Sequence, residues 1–260
     1  MKAALLAQLR ERAARAPDAA RRALAIGAHV VGSIETPLAA ALLDARLPVR
    51  DDGRLVIDDT DADAALERIA HWLHDHGHAG RRRDELLPVN DEQHRTLARV
   101  ERGVVRPLGI ATYAVHMVGF ADDGRQWLQQ RAFDKATDPG LWDTLMGGLI
   151  AAGETVAGAL ERETWEEAGL RIGDLDPIRE AGIVTVRRPV AHSGTGGYMV
   201  EHIHAMHCRV PSHLTPVNRD GEVLRFERFD SAEIEHRIAL EQVTLEAALV
   251  MARVNEAGGA

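Results

Sequence analysis

The sequence predicts a layered protein of the α/β (α+β) class, built from two modules. Segments with helical spacing and segments with strand-like alternation follow one another along the chain, which indicates packed layers of helix and sheet. A length of 260 residues is enough for one large or two small domains. The pattern also changes near residue 105. We therefore predict a smaller N-terminal accessory α/β module over residues 1–105 and a second domain over residues 106–260.

The composition limits the kinds of molecule that this protein is expected to bind. Hydrophobic residues make up 45% of the chain and aromatic residues only 4%, so the core should consist mainly of Leu, Val, Ile and Ala. The formal net charge of −9 argues against a protein that neutralises the phosphates of a nucleic acid. A small anionic ligand is still compatible with this charge if basic side chains gather locally.

The cysteine content and the start of the chain bear on the compartment. Cys208 is the only cysteine, so an internal disulfide is impossible and a reducing cytoplasm is expected. The apolar stretch over residues 3–9 is too short to span a membrane, so no membrane partner is expected. An amphipathic helix there is favoured over an organelle transit segment, because Glu11 and Asp18 interrupt the basic run.

The N-terminal module shows one clear helix and one short strand. A helix should begin after Thr60 and Asp61, end at Gly77, and share an apolar face formed by Leu66, Ile69, Ala70 and Leu73. Residues 55–57 read as a strand. Histidines 71, 74, 76 and 78 could be taken for a metal site, but no cysteine lies nearby and only the first two share a helical face.

The second domain is richer in strands. Residues 110–120 and 126–131, joined by an Asp-Asp-Gly turn, predict a hairpin. A helix over residues 155–168 should end at Gly169, and two β-like segments follow at 181–186 and 198–210. A helical tail closes the pattern, with a face formed by Leu245, Ala248, Leu249 and Ala252.

The helix over residues 155–168 carries an acidic face. Glu163, Glu166 and Glu167 stand at i, i+3 and i+4, so their carboxylates crowd together. Like charges at this spacing cost a few tenths of a kcal/mol per pair, and no basic residue on the same stripe offsets them. Carboxylates on one rigid element suit a hard cation such as Mg²⁺ or Mn²⁺. A solvated acidic face is the alternative interpretation.

The residues around this face resemble a known motif. Its fixed positions are Gly148, Glu154, Arg162, Glu163, Glu166, Glu167 and Gly169, followed by Leu170. Their spacing resembles the Nudix box, G-x5-E-x7-R-E-U-x-E-E-x-G-U, in which U is aliphatic. Thr164 departs from the pattern, since it occupies an aliphatic position. The resemblance implies a Nudix α/β/α sandwich and a hydrolase that splits diphosphate linkages.

The resemblance also implies roles for the motif residues. Glu163, Glu166 and Glu167 would bind the metal, together with a backbone carbonyl at or beside Gly148. Arg162 would orient a glutamate, either Glu154 or Glu166. Gly148 and Gly169 would serve the backbone geometry of the loop and of the helix exit.

The identity of the general base is left open by the sequence. Glu166, Glu167 and Glu222 are the candidates, all of them able to take a proton from water. Glu222 follows an Asp-Gly turn, so a purely structural role in that turn is equally compatible with the pattern.

Segments outside the box resemble the Nudix group associated with thiamine pyrophosphokinase. They cover residues 100–102, 110–116, 131–135 and 139–143. Within them, Arg131 and Lys135 are predicted to neutralise the substrate diphosphate, and Lys135 is one of only two lysines in the chain. Arg187 is a further predicted anion contact. The glycine-rich residues 193–197 could move over a ligand or simply connect two strands.

Three functions are compatible with these observations. The first is metal-dependent hydrolysis of a small organic diphosphate, such as thiamine diphosphate or a damaged analogue, to a monophosphate. The second is isomerisation of a prenyl diphosphate, for which Cys208 would have to move the proton. The third is a module that senses a diphosphate without cleaving it. His202 and His204 offer a rival metal site, although no third ligand is in register. A homodimer is compatible with the sequence.

Overall fold

The computed structural model describes residues 1–135, 137–190 and 197–258. Its helices are α1 (Ala3–Arg12), α2 (Thr36–Asp44), α3 (Ala62–Asp75), α4 (Val156–Ala168), α5 (Ser231–Ala239) and α6 (Leu245–Glu256). Its strands are β1 (Arg21–Ile26), β2 (His29–Glu35), β3 (Val49–Asp51), β4 (Leu55–Ile57), β5 (Leu86–Asn90), β6 (Thr96–Glu101), β7 (Thr112–Ala121), β8 (Gln126–Arg131), β9 (Trp142–Asp143), β10 (Met146–Leu149), β11 (Asp176–Val190), β12 (Gly197–Val210) and β13 (Val223–Phe229). Residues 193–196 of the glycine-rich segment lie outside the described residues.

The N-terminal half forms a small sheet with its own core. Strands β2, β1, β4 and β3 are neighbours in that order, and β1 and β4 run parallel. The predicted helix is confirmed as α3, where the Asp61 side chain accepts the backbone N–H of Ala64 at 3.0 Å. The predicted strand at residues 55–57 is confirmed as β4. One apolar cluster joins these elements and extends from Leu24 to Ile110.

The larger sheet belongs to the second half of the chain. Strands β11, β12, β7, β8 and β13 are neighbours in that order, while β10 pairs with β7 and β9 with β8. The predicted hairpin is confirmed as β7 and β8, and the two predicted β-like segments pair as β11 and β12. Strands β12 and β7 run parallel, so the sheet is mixed.

Helices cover both faces of this sheet, which gives three layers. Val115 and Met117 of β7 pack in one apolar cluster with Leu160 of α4. Ala114 and Val118, which point to the opposite face of the same strand, pack in another cluster with residues of α6. The alternation along β7 therefore fixes α4 on one side of the sheet and α6 on the other. The predicted layered α/β class is confirmed.

Helix α1 packs against the second half of the chain, although it begins the sequence. Leu9 and Ala13 are buried in the same apolar cluster as α6. Arg10 also donates to Glu256 at the far end of the chain at 2.7 Å. The division at residues 105 and 106 stays a prediction. In the part of the chain that the structure describes, no helix is long and apolar enough to cross a bilayer.

The core of the N-terminal module depends on α3. Ile69 is completely buried against the small sheet, so Ile69→Ala should lower the free energy of unfolding by about 2–5 kcal/mol through the cavity it leaves. Denaturant unfolding measures this change. Arg68→Ala, at the exposed neighbouring position, is the control and should change stability by less than about 0.5 kcal/mol. Equal effects of the two substitutions would contradict the packing described here.

Candidate active site

Helix α4 begins and ends at residues suited to those positions. The Thr155 side chain accepts the backbone N–H of Gly158 at 3.0 Å and so caps the helix. The helix ends at Gly169, whose φ of 62° lies in the left-handed region. A Cβ at this position would stand 2.6 Å from the Val217 carbonyl oxygen, so glycine is required there. The predicted helix over residues 155–168 is confirmed.

Thr164, the departure from the motif, is accommodated inside α4. Its side chain is completely buried, and its hydroxyl donates to the Leu160 carbonyl oxygen at 2.5 Å. A buried hydroxyl that bonds the preceding turn of its own helix leaves no polar group unsatisfied. The substitution therefore leaves the acidic face unchanged.

The glycine pair Gly147-Gly148 of strand β10, called the glycine loop below after its place in the motif, lies directly against the acidic face of α4. A Cβ on Gly148 would stand 1.9 Å from the Glu163 carboxylate, and a Cβ on Gly147 would stand 2.7 Å from the His116 ring. The Gly147 backbone N–H donates to Glu167 Oε2 at 2.9 Å. Only a backbone without side chains can approach this closely. The predicted role of Gly148 in close approach is consistent with this geometry.

Glu167 is a buried carboxyl group with polar partners. Its side chain is 2% exposed and accepts from Gln129 Nε2 at 2.8 Å as well as from Gly147. Its pKa is raised to about 8, chiefly by burial and in part by the nearby Glu163, against opposing effects from the Gly147 hydrogen bond, Lys135 and Gln129. Such a group favours a neighbouring positive charge strongly.

Arg162 pairs with the carboxylates at the other edge of the face. Its Nε and Nη2 donate to the two oxygens of Glu154, each at 2.9 Å, and its Nη1 donates to Glu163 Oε1 at 2.6 Å. Nη1 also lies 3.3 Å from Glu166 Oε2. The hydrogen bond from Arg162 is the main reason that the pKa of Glu154 is lowered. Arg162 therefore contacts both Glu154 and Glu166, the two partners that the sequence analysis proposed for it.

A turn after residue 217 adds carboxylates from outside the helix. Oxygen atoms of Glu167, Asp220 and Glu222 all lie within 4.8 Å of one another. Glu222 was a sequence candidate, whereas Asp220 was missed, although it is the aspartate of the same Asp-Gly turn. Burial raises the pKa of Glu222, but the hydrogen bond from Lys135 and the positive charges of Lys135, Arg102 and Arg83 lower it below its usual value.

This arrangement fits a divalent cation. Glu167 brings a buried carboxylate, Asp220 and Glu222 bring exposed ones, and Glu163 lies beside them with a pKa that burial raises. Carboxylate oxygens are the ligands that Mg²⁺ and Mn²⁺ prefer. A cation at this place would offset the cost of keeping Glu167 ionised. Glu166 differs from its neighbours, because its side chain is 46% exposed and lies beside Arg162.

The carboxylates open into a cleft of about 190 Å³, called the cleft from here on. Glu163, Glu167 and Glu222 line it, together with Gly147 and Gly148. Cationic side chains also line it, and these are Arg102, Arg106, Arg131, Lys135 and Arg188. The predicted anion contacts Arg131 and Lys135 therefore lie in the same cleft as the acidic helix.

Arg187 is not among the described residues that line the cleft, and its contact with an anion stays a prediction. It is exposed, and its backbone N–H donates to the Ala13 carbonyl oxygen at 2.7 Å. Side chains alternate along β11, so its neighbour Arg188 faces the cleft instead. Arg188 donates to Glu246 Oε1 at 3.2 Å.

The other candidate residues lie in different settings. His74 bonds Glu101 and His71 bonds Arg82 in the N-terminal module. On β12, His202 stacks on Tyr113 with ring centroids 5.4 Å apart. Cys208 is 2% exposed in the apolar cluster below α4, where burial raises the pKa of its thiol to about 12. None of these side chains is among the described residues that line the cleft.

Gly148→Ala tests the close approach of the loop. The added Cβ would overlap the Glu163 carboxylate, so the affinity for Mn²⁺ should fall by about tenfold or more, comparable to loss of a group that orients a ligand. A Mn²⁺ titration measures the affinity. Gly173→Ala is the control, because a Cβ there meets no atom within 4 Å. Unchanged Mn²⁺ affinity in a folded Gly148→Ala protein would contradict the proposed geometry.

Comparisons with known proteins agree with this geometry. The NUDIX domain model matches residues 111–251, which is more than half of the chain. Nudix hydrolase 20, chloroplastic, of Arabidopsis thaliana is 28% identical over 72% of this chain and 51% of its own length. An uncharacterized Nudix hydrolase of Pseudomonas aeruginosa is 37% identical over 34% of this chain and 52% of its own length. The chain thus spans about half the length of these curated relatives.

Two further similarities bear on the fold and on the alternatives. The crystal structure of DR0079 from Deinococcus radiodurans superimposes with a TM-score of 0.50 at 21% identity, covering 65% of this chain and 98% of that one. An isopentenyl-diphosphate Delta-isomerase of Streptomyces avermitilis is 34% identical over 42% of this chain and 54% of its own length. The predicted α/β/α sandwich is confirmed. The chain therefore belongs to the Nudix family.

Proposed function

We propose that this chain is a metal-dependent pyrophosphohydrolase that splits the diphosphate linkage of a small organic diphosphate and releases a monophosphate. The observation that carries the proposal is the meeting of the α4 carboxylates, the Asp220–Glu222 turn and cationic side chains in one cleft. Acidic groups can hold a cation there, while Arg131 and Lys135 face the position of the anion.

The protein residues divide the work between binding and proton transfer. A bound divalent cation supplies charge withdrawal from the diphosphate oxygens and makes a nearby water more acidic. Glu163 and Glu167 hold the cation, since they lie against the rigid glycine loop. Arg162 fixes the orientation of Glu163.

Glu222 is the general base of this proposal. Glu166 lies outside the described lining of the cleft, and Glu167 is too deeply buried to meet an incoming water. Glu222 is exposed to the cleft, and Lys135 bonds its Oε2, which leaves Oε1 to accept the proton. As water attacks phosphorus, the bond to the bridging oxygen breaks and the organic monophosphate and inorganic phosphate leave.

We propose thiamine diphosphate, or a damaged form of it, as the substrate. The segments around residues 100–143 resemble the Nudix group associated with thiamine pyrophosphokinase. A panel of organic diphosphates with Mg²⁺, assayed for released monophosphate, tests this choice of substrate.

Isomerisation of a prenyl diphosphate is the second candidate, favoured by the similarity to the Streptomyces avermitilis isomerase. The chemistry would need Cys208 beside the substrate, but its thiol is buried below α4 and does not line the cleft. Diphosphate sensing without cleavage is the third candidate. It gives no reason for the chain to bring Glu163, Glu167 and Glu222 together beside the anion contacts.

The compartment and the oligomeric state are proposals as well. We propose a cytoplasmic protein, because the chain has a single cysteine. A homodimer stays a prediction. The acidic net charge supports a small-molecule partner over a nucleic acid.

Two substitutions separate metal binding from proton transfer. Glu222→Gln should lower kcat by about a hundredfold or more because it removes the base, and it should weaken Mn²⁺ binding less than Glu167→Gln does, because the Glu222 carboxylate is exposed. Glu167→Gln should weaken Mn²⁺ binding as well as activity. Glu161→Gln, on the exposed side of the same helix, is the control and should leave both unchanged. Full kcat in Glu222→Gln would assign the base elsewhere.

Cys208→Ala distinguishes hydrolysis from isomerisation. Because the thiol is buried away from the cleft, hydrolysis of the preferred diphosphate should keep at least about half of its rate, with only a modest loss of stability from the small cavity. Steady-state rates and a thermal melt are measured together. Isomerase activity in the wild type that disappears in Cys208→Ala would refute the hydrolase proposal.

A further inference from the structure

Arg102 reaches the cleft from the N-terminal module. It begins a short 3-10 turn, Arg102–Val104, that follows β6, and it lies outside the residues matched to the NUDIX domain model. It nevertheless lines the cleft together with Glu163, Lys135 and Glu222. The Nudix domain alone therefore does not supply every wall of this cleft.

The turn holds Arg102 in a fixed place. Its Nη1 donates to Glu85 Oε2 at 2.7 Å, and its backbone N–H donates to the Glu85 carbonyl oxygen at 3.0 Å. Val104 is completely buried in the core of the N-terminal module. Gly103 accepts the Gly80 backbone N–H at 3.1 Å, and a Cβ on Gly103 would meet the Arg81 carbonyl oxygen at 2.9 Å. The guanidinium is thus anchored at its base and along one edge.

The ion pair of Arg102 distinguishes it from the other cationic side chains of the cleft. Arg106, Arg131 and Arg188 each pair with a carboxylate that also lines the cleft, namely Glu201, Asp143 and Glu246. Lys135 pairs in the same way with Glu222. Glu85, the partner of Arg102, is not among the described residues that line the cleft.

Among the described residues, the salt-bridge partner of Arg102 therefore lies outside the cleft, whereas the other four cationic side chains pair with carboxylates of its walls. A guanidinium has five N–H donors in a planar fork, and Glu85 takes the donor at Nη1. The side chain is 36% exposed, so a ligand in the cleft can reach the rest of the fork. Planar forks of this kind match the oxygens of a phosphate group.

We propose that Arg102 binds a phosphate group of the substrate diphosphate, with Glu85 as its positioning residue, so that the N-terminal module completes the active site. The inference rests on the proposed hydrolase function, since it names a ligand of that same site. It also gives the module a direct part in substrate binding. Arg102 lines the same cleft as Lys135, a predicted anion contact, and Glu222, the proposed general base.

Binding of methylenediphosphonate, a diphosphate that cannot be hydrolysed, tests the inference in the presence of Mg²⁺. Calorimetry on the full chain should show that Arg102→Gln weakens binding by about tenfold or more, because charge-assisted hydrogen bonds are lost. Arg102→Lys should recover part of the affinity, and Glu85→Gln should lose less than Arg102→Gln. Arg50→Ala is the control, since it removes an exposed arginine of the same module that is not among the described residues lining the cleft.

The expected kinetic signature is a raised KM with a smaller change in kcat, because Arg102 would contact the anion before and during the reaction. Affinity for methylenediphosphonate in Arg102→Gln within twofold of the Arg50→Ala value would overturn the inference. So would a wild-type protein that does not bind this probe. Should Arg102→Gln fail to fold in a thermal melt, full wild-type affinity in Arg102→Lys together with Glu85→Gln would overturn it.

The binding assay is independent of turnover, so the two proposals can fail separately. Absence of any hydrolysed diphosphate in the wild type would refute the hydrolase function. Loss of probe binding in Arg102→Gln would still assign Arg102 to the anion site in that case. Turnover of a diphosphate by the wild type, with unchanged probe binding in Arg102→Gln, would leave the function intact and remove Arg102 from the site.

Discussion

The contact between Gly147-Gly148 of strand β10 and the acidic face of α4 is the constraint on which the site depends. At Gly148 the backbone comes so close to the Glu163 carboxylate that no side chain would fit, and at Gly147 it donates directly to Glu167. Strand β10 pairs with the central strand β7, so its two glycines fix the acidic face relative to the whole sheet. Metal ligands held by a strand and a helix lose little freedom on binding.

The same contact explains why charge is concentrated yet tolerated inside the domain. Like charges on one helical face repel, and burial of Glu167 adds a desolvation cost. Arg162, Gln129 and the loop N–H offset part of that cost through hydrogen bonds. The negative charge that these hydrogen bonds do not offset would be offset by a bound cation. Without a cation the site is less stable than an apolar core would be, and this cost would favour metal binding.

Sequence reasoning recovered the elements in which local signals and packing agree. Helix α4 and the β7–β8 hairpin follow from spacing and turns, and the resemblance outside the motif led to Arg131 and Lys135, which line the cleft. Asp220 was missed because only the fold brings its turn to Glu167. The sequence pattern also does not reveal which face of a strand meets a cavity, so it could not show that Arg188 and not Arg187 lines the cleft. Helix α5 was missed although Asp230 and Glu233 form a capping box that the sequence displays.

Helix α1 lies at the start of the sequence but packs in space with the second half of the chain. Leu9 and Ala13 cover apolar surface of α6, and β11 bonds the backbone just after that helix. A fragment trimmed to residues 111–251 would lack this cover and would expose apolar surface to water. We expect such a fragment to self-associate. Dissection of this protein is thus better done by exchanging single side chains than by cutting the polypeptide.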